Sequence, residues 1–297
     1  MRSDAATDDL AALAPEDQPH SGGGRREILL RVISAIILAP LGVWACWSGG
    51  LGLIVATGAC AVLASAEWTR MAAQTGAAWA RFVLMIVMAA TAAGAVYVAP
   101  RGIEVVALVS LAGCVLAAGI VWLGKGSVSS MAFGAIYTSL PFGAFVWIRE
   151  ATTNGQLTLL ALLAIVWATD IAAYFGGRGF GGPLLSPKDS PNKTWTGAIG
   201  ALVCAGLAGA AVARAVGGDF THWLFASLVL SIVAQAGDLL ESRFKRLYGV
   251  KDTSGIVPGH GGVLDRLDAL MAAAVVAALT LRFLPALAPG FPAAGAG

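Results

Sequence analysis

Apolar runs of 17 to 22 residues recur along this 297-residue chain, each long enough to cross a hydrocarbon core about 30 Å thick as a helix. In lipid every backbone N–H and C=O must be satisfied within its own segment, so the runs are expected to be helical. Composition agrees. The chain is 58% hydrophobic and 12% charged, with a mean hydropathy of +0.78; a soluble domain carries about 25% charged residues. The expected fold class is an all-α polytopic membrane protein of about nine transmembrane helices. The spans fall at 29–47, 51–68, 82–98, 105–123, 131–148, 157–175, 195–216, 223–240 and 267–284. Pro40 and Pro141 are expected to kink the first and fifth.

Three regions follow. Residues 1–27 hold Asp4, Asp8, Asp9, Glu16 and Asp17 and read as a disordered polar cytoplasmic tail. Residues 28–150 hold five spans, and 151–297 hold four spans with two long polar segments, 176–194 and 241–266. Arg25, Arg26 and Arg31 ahead of the first run look like a secretion signal, but a second full-length run follows after Gly49-Gly50, so a retained helical hairpin is expected. Cys46, Cys60, Cys114 and Cys204 all lie inside apolar runs without a CxxC pair, which fits small buried hydrophobes better than a metal site or disulfide.

Basic residues orient the chain. With the N-terminus in the cytoplasm and alternating spans, fifteen Lys and Arg fall inside, and Arg101, Arg149, Arg214 and Arg282 fall outside. This places both long polar segments at the cytoplasmic face of the inner cell membrane, where function is expected.

The first segment begins near Asp170, an ionisable residue within a span and so a functional candidate. Gly177-Arg178-Gly179-Phe180-Gly181-Gly182 fits GxGxxG, but it follows a membrane helix with no βαβ unit, so dinucleotide binding is excluded. These glycines instead suggest a loop that turns sharply close to a ligand. Ser190-Pro191 reads as an N-cap with Pro at the first helical position. The Ser190 and Thr194 hydroxyls, Lys193 and the free amides of a helix start could together hold a phosphate; an ordinary cap explains them equally well.

The second segment is the charge anomaly of the chain. From Glu241 to Asp268, nine of 28 residues carry formal charge. Asp238, Glu241, Ser242 and Lys245 share one helical stripe, and Asp265 and Asp268 share another at the next helix start. Carboxylates at two helix ends suit Mg²⁺, which takes oxygen ligands and keeps water and substrate phosphates. Lys245, Arg246, Lys251 and Arg266 supply cations between them. Metal, basic side chains and glycines are the equipment of phosphoryl-type transfer. Dipole-favoured acids or topogenic basic residues are the simpler alternative, yet a patch made only for topology would be basic rather than mixed.

At these residues the chain resembles the phosphatidate cytidylyltransferase family. The resemblance is carried by Ser242-Arg243-Phe244-Lys245-Arg246, Lys251-Asp252, Ser254 and the run Pro258-Gly259-His260-Gly261-Gly262-Val263-Leu264-Asp265-Arg266-Leu267-Asp268. Upstream, Asp170, Ala173-Tyr174 and Ser190 to Trp195 are similar to a second family region. Val257 departs mildly from the usual residue, and Leu184 stands where relatives often carry Lys, so it is given no ligand role.

The resemblance implies that CTP and phosphatidic acid give CDP-diacylglycerol and pyrophosphate, with Mg²⁺ and K⁺ in a di-metal centre and a homodimer. By motif, Asp238 and Asp265 are the metal ligands, Asp268 is a third carboxylate, and Lys245 and Arg266 act with them in catalysis. Asp170, Ser190, Lys193, Thr194, Ser242, Arg246, Lys251, Asp252, His260, Gly261 and Gly262 are the expected substrate-binding set. No nucleic-acid partner is expected. An ion-coupled transporter using the same carboxylates is the alternative, weakened by the absence of an internal repeat and by carboxylates gathered at one face. The CDP-alcohol phosphotransferases need a four-Asp pattern that this chain lacks.

Overall fold

The computed structural model describes residues 25–73, 77–256 and 261–289. The polar tail up to residue 24 and the Val257-Pro258-Gly259-His260 stretch of the signature, including the expected ligand His260, lie outside the described residues.

Among the described residues there are ten α-helices. They are α1 (Arg25–Ser48), α2 (Gly50–Ala72), α3 (Ala78–Val98), α4 (Ile103–Leu123), α5 (Val128–Tyr137), α6 (Leu140–Ala151), α7 (Gly155–Phe180), α8 (Trp195–Val216), α9 (Phe220–Leu247) and α10 (Leu264–Phe283). A short antiparallel hairpin, β1 (Leu184–Ser186) and β2 (Ser190–Thr194), sits between α7 and α8. The chain is therefore mostly helical rather than purely so. Residues 25–27, assigned above to the tail, begin α1.

Among the described residues, seven stretches are long and apolar enough to cross a membrane: α2, Ala78–Arg101, α4, Val128–Ala151, α7, α8 and α9. α10 stands where the ninth span is expected but carries Asp265, Arg266, Asp268 and Arg282 within its 20 residues. The first run is helical, with Ile36–Ser48 as a shorter apolar stretch. α1 continues through Pro40, whereas the fifth run breaks between α5 and α6, at Thr138 and Ser139. Pro141 opens α6 there, because its ring presets the first-turn φ and its missing N–H needs no partner.

α6 is the central element, burying Phe142, Ala144, Val146, Trp147 and Ile148 and packing against α2, α3, α4, α7 and α10. One apolar core runs from Ala45 on α1 to Ala278 on α10. The outer surface is apolar as well. Phe82, Leu111, Leu116, Val203 and Leu207 are all more than half exposed, as expected where lipid replaces water as solvent.

Close approach of helices relies on small residues. On α8, a Cβ at Gly197 would lie 2.6 Å from the Ala173 carbonyl oxygen of α7. The Gly177–Gly182 run, expected as a loop, is helical through Phe180, and the chain turns only at Gly181 and Gly182. Helix α8 also starts later than the Ser190-Pro191 reading predicts. Ser190 to Thr194 is extended and paired with β1, and Thr194 is the N-cap, accepting the Gly197 amide at 3.2 Å. Pro191 fixes a φ that suits an extended strand as readily as a first helical turn, and the pairing with β1 decides between them.

At one end of the bundle, Arg149 donates to the Cys46 and Trp47 carbonyls, and Glu150 accepts the Gly50 amide at 2.8 Å. At the opposite end the C-termini of α2, α7 and α9 meet the N-termini of α8 and α10, which brings the two polar segments together.

Candidate active site

Asp238 and Glu241 lie one turn apart near the C-terminal end of α9, and Asp268 lies in the second turn of α10. One carboxylate oxygen from each lies within 4.8 Å of the others. The helices can approach this closely because α9 presents Gly237 to α10. A Cβ there would lie 2.5 Å from the Ala272 Cβ and 3.0 Å from the Asp268 carbonyl oxygen. Glu241 and Asp268 are buried, and Asp238 is half-buried.

Two lysines serve this cluster. Lys193, on β2, reaches Asp238 Oδ2 at 2.5 Å. Lys245 lies 2.6 Å from Glu241 Oε2, one turn back on α9, and 2.9 Å from Asp265 Oδ1 on α10. Glu241 nevertheless has no hydrogen bond of good geometry on either buried oxygen; Lys245 is close but poorly aligned. Buried carboxylate oxygens without aligned donors are costly unless a cation meets them. Glu241 together with Asp238 and Asp268 is a hard-oxygen donor set, so the residues present fit a divalent metal ion.

Asp265 lies beside this cluster. Its Oδ1 pairs with Lys245, and its Oδ2 accepts the Thr253 amide and hydroxyl, both at 3.0 Å, and the Gly262 amide at 2.7 Å. The structure thus groups Asp238 with Glu241 and Asp268, and Asp265, joined to Glu241 through Lys245, also organises the segment before α10. Gly261 has φ +84° and Gly262 has no room for a side chain: a Cβ at Gly262 would overlap Thr253 Oγ1 and lie 2.7 Å from both Glu67 carboxylate oxygens. The paired glycines of the signature are therefore required by the close approach of backbone to two carboxylates.

The other expected residues distribute around this centre. Asp170 on α7 is exposed and lies within electrostatic reach of Asp238 and Lys193. The Thr194 side chain caps α8 and is within 2.9 Å of the Thr196 hydroxyl, and Ser190 pairs with Ser186 in the hairpin. Ser242 is partly buried beside Glu241, and Arg246, Lys251, Asp252 and Arg266 are exposed around the same end of the bundle.

Sequence reasoning missed Glu67. It is fully buried on α2, and both its oxygens accept hydrogen bonds from the segment preceding α10. A carboxylate inside the second apolar run was the available signal, by the same cost argument that singled out Asp170.

Comparison with known proteins agrees with this chemistry. The sequence pattern of the Cytidylyltransferase family matches residues 29–284. The chain is similar to the phosphatidate cytidylyltransferase of Brucella suis biovar 1 (strain 1330), with 40% identity over 250 residues, covering 83% of this chain and 90% of the relative. It is also similar to the phosphatidate cytidylyltransferases of Rickettsia prowazekii (strain Madrid E), 36% identical over 50% of this chain and 69% of the relative, and Staphylococcus aureus (strain COL), 36% identical over 57% and 66%. An enzyme of the nucleotidyltransferase class, the chain belongs to the Cytidylyltransferase family.

Proposed function

We propose that the chain transfers CMP from CTP to phosphatidic acid, yielding CDP-diacylglycerol and pyrophosphate at the cytoplasmic face of the inner membrane. The observation that carries this reading is the Asp238–Glu241–Asp268 cluster flanked by Lys193 and Lys245. It lies at one end of apolar helices, in a chain resembling phosphatidate cytidylyltransferases over most of its length. Mixed charge at that depth supports an anionic substrate bound through cations and a metal.

Asp238, Glu241 and Asp268 would hold Mg²⁺, which when bound supplies charge neutralisation at the triphosphate. Asp265, the second ligand expected from the motif, also anchors Lys245 and Thr253. A phosphate oxygen of phosphatidic acid forms the new bond to the α-phosphorus of CTP, the bond from that phosphorus to the β-phosphate bridging oxygen breaks, and pyrophosphate departs. The lipid phosphate is already ionised near neutral pH, so no strong base is required. Lys193, on a hairpin rather than a span, is placed to exchange its carboxylate for a substrate phosphate. Arg246, Lys251 and Arg266 are exposed and would stabilise the charge that accumulates on the leaving pyrophosphate. Ser190, Thr194, Ser242, Asp252, Gly261 and Gly262 belong to the same reading as the frame of the substrate site. K⁺ as a second metal, the homodimer and the nine-span topology with a cytoplasmic N-terminus are further parts of it.

The deciding experiment is pyrophosphate release by purified protein in detergent, given Mg²⁺ and CTP with and without phosphatidic acid. Release that depends on phosphatidic acid is expected, and a transporter would give none. Release in the absence of lipid, or no release at all, would overturn the reading.

A further inference from the structure

The N-terminus of α10 lacks a side-chain cap of its own. A helix start leaves four backbone N–H groups without partners, and burying them unpaired is costly. Here Gly262 donates to Asp265 Oδ2 at 2.7 Å, whereas Val263 and Leu264 donate, both at 2.9 Å, to Glu67 Oε1 and Oε2. Glu67 comes from α2, almost two hundred residues earlier, and is fully buried. The same two oxygens accept the hydroxyls of Ser254, at 2.5 Å, and Thr253, at 3.1 Å. One carboxylate therefore receives four hydrogen bonds, two from the polar segment and two from the helix that carries Asp265 and Asp268.

The Thr253 hydroxyl also lies 3.0 Å from Asp265 Oδ2. Glu67, Thr253, Asp265 and Lys245 thus form a continuous chain of polar contacts ending at Glu241 in the acidic cluster. Beside Glu67, Trp68 is fully buried. It donates from Nε1 to the Ser130 carbonyl at 3.1 Å and packs against Phe133, Tyr137, Phe244 and Tyr248 at ring-centroid distances of 5.7, 5.3, 5.0 and 6.1 Å. That aromatic cluster fixes α2 against α5 and α9 and leaves the carboxylate little freedom to follow the loop.

We infer that Glu67 is a positioning residue for nucleotidyl transfer, acting as a distant N-cap of α10 that sets the reactive depth of Asp265 and Asp268. Its negative charge at a helix N-terminus is favoured by the helix dipole, and its four acceptor contacts require the ionised carboxylate rather than an amide.

This inference rests on the proposed transfer reaction only for its kinetic arm. The full chain in detergent carries Glu67→Gln, Thr253→Val and the double substitution. Glu67→Gln is expected to lower kcat on the order of tenfold or more, with a smaller change in the KM for CTP. The double variant is expected to lose less than the product of the two single losses, because both break one chain of contacts. Independently of activity, trypsin cleavage after exposed Lys251 is expected to accelerate in Glu67→Gln while the protein stays monodisperse. If Glu67→Gln does not fold, Ser254→Ala, which removes one donor and leaves α2 intact, is read by the same two assays. A parental kcat in folded Glu67→Gln, strictly multiplicative losses, or unchanged cleavage after Lys251 would each overturn the positioning role. An inactive parent protein would instead defeat the transfer reading and leave the cleavage assay to decide the role of Glu67.

Discussion

Lys193 Nζ lies 2.5 Å from Asp238 Oδ2, and this contact joins the hairpin before α8 to the acidic turn of α9. Both side chains are roughly a third exposed, 27% for Lys193 and 36% for Asp238. The Lys193 nitrogen itself is buried and has no well-aligned hydrogen bond, so a substrate phosphate that aligned with it would displace the carboxylate at little cost. Lys193→Ala should therefore leave folding nearly unchanged while raising the KM for a phosphate-bearing substrate on the order of tenfold. Steady-state kinetics with each substrate varied in turn would check this; parental values for both would remove Lys193 from the site.

Asp238→Asn and Asp268→Asn should each reduce turnover on the order of 100-fold or more, since each deletes a charged oxygen donor from a three-carboxylate cluster. Glu241→Gln should act more through the metal, raising the Mg²⁺ concentration at half-maximal rate. A metal titration of each variant in the pyrophosphate assay separates the two behaviours.

Chelation should abolish turnover in the parent enzyme, and excess Mg²⁺ should restore it. Full activity in a chelator would show that Lys193 and Lys245 alone neutralise the acidic cluster.

Gly262→Ala should destabilise by about 1–3 kcal/mol through overpacking, because its Cβ would collide with Thr253 and both Glu67 oxygens. Activity should fall with it. Gly255→Ala, in the same segment, meets nothing within 4 Å and should behave like the parent. Thermal unfolding in detergent beside turnover compares the pair, and equal behaviour would contradict the packing account.

Gly197→Ala should lower thermal stability without altering turnover per folded molecule at low temperature, since its Cβ would press on the Ala173 carbonyl oxygen where α7 and α8 cross. A loss of turnover with full stability would assign Gly197 to the reaction instead.

Much of this was legible in the residues. Run length and polarity located the helices, and the stretch 195–216 coincides with α8. Fixed spacing placed Asp238, Glu241 and Lys245 on one stripe, and the structure keeps them together. Other features depended on partners distant in sequence. Ser190-Pro191 reads locally as a helix start, and pairing with Leu184–Ser186 makes it a strand. The glycines from Gly177 read as a loop, yet a facing helix lets α7 run to Phe180. Asp265 resembles a metal ligand by motif, and its contacts with Thr253, Gly262 and Lys245 could not be read from its neighbours in sequence. Glu67 was hidden for the same reason: nothing near it in the sequence indicates what it binds.

The reach of Glu67 also bears on how such an enzyme can be divided. The acidic turns, the lysines and the signature glycines all fall after residue 155, which invites excision of the C-terminal half as a minimal catalyst. That fragment would leave two amides at the start of α10 and the Ser254 hydroxyl without their Glu67 acceptor, and would strip α10 of its contact with α6. Chimeras that exchange N-terminal halves between relatives would work only when the donor half supplies a carboxylate at the same height.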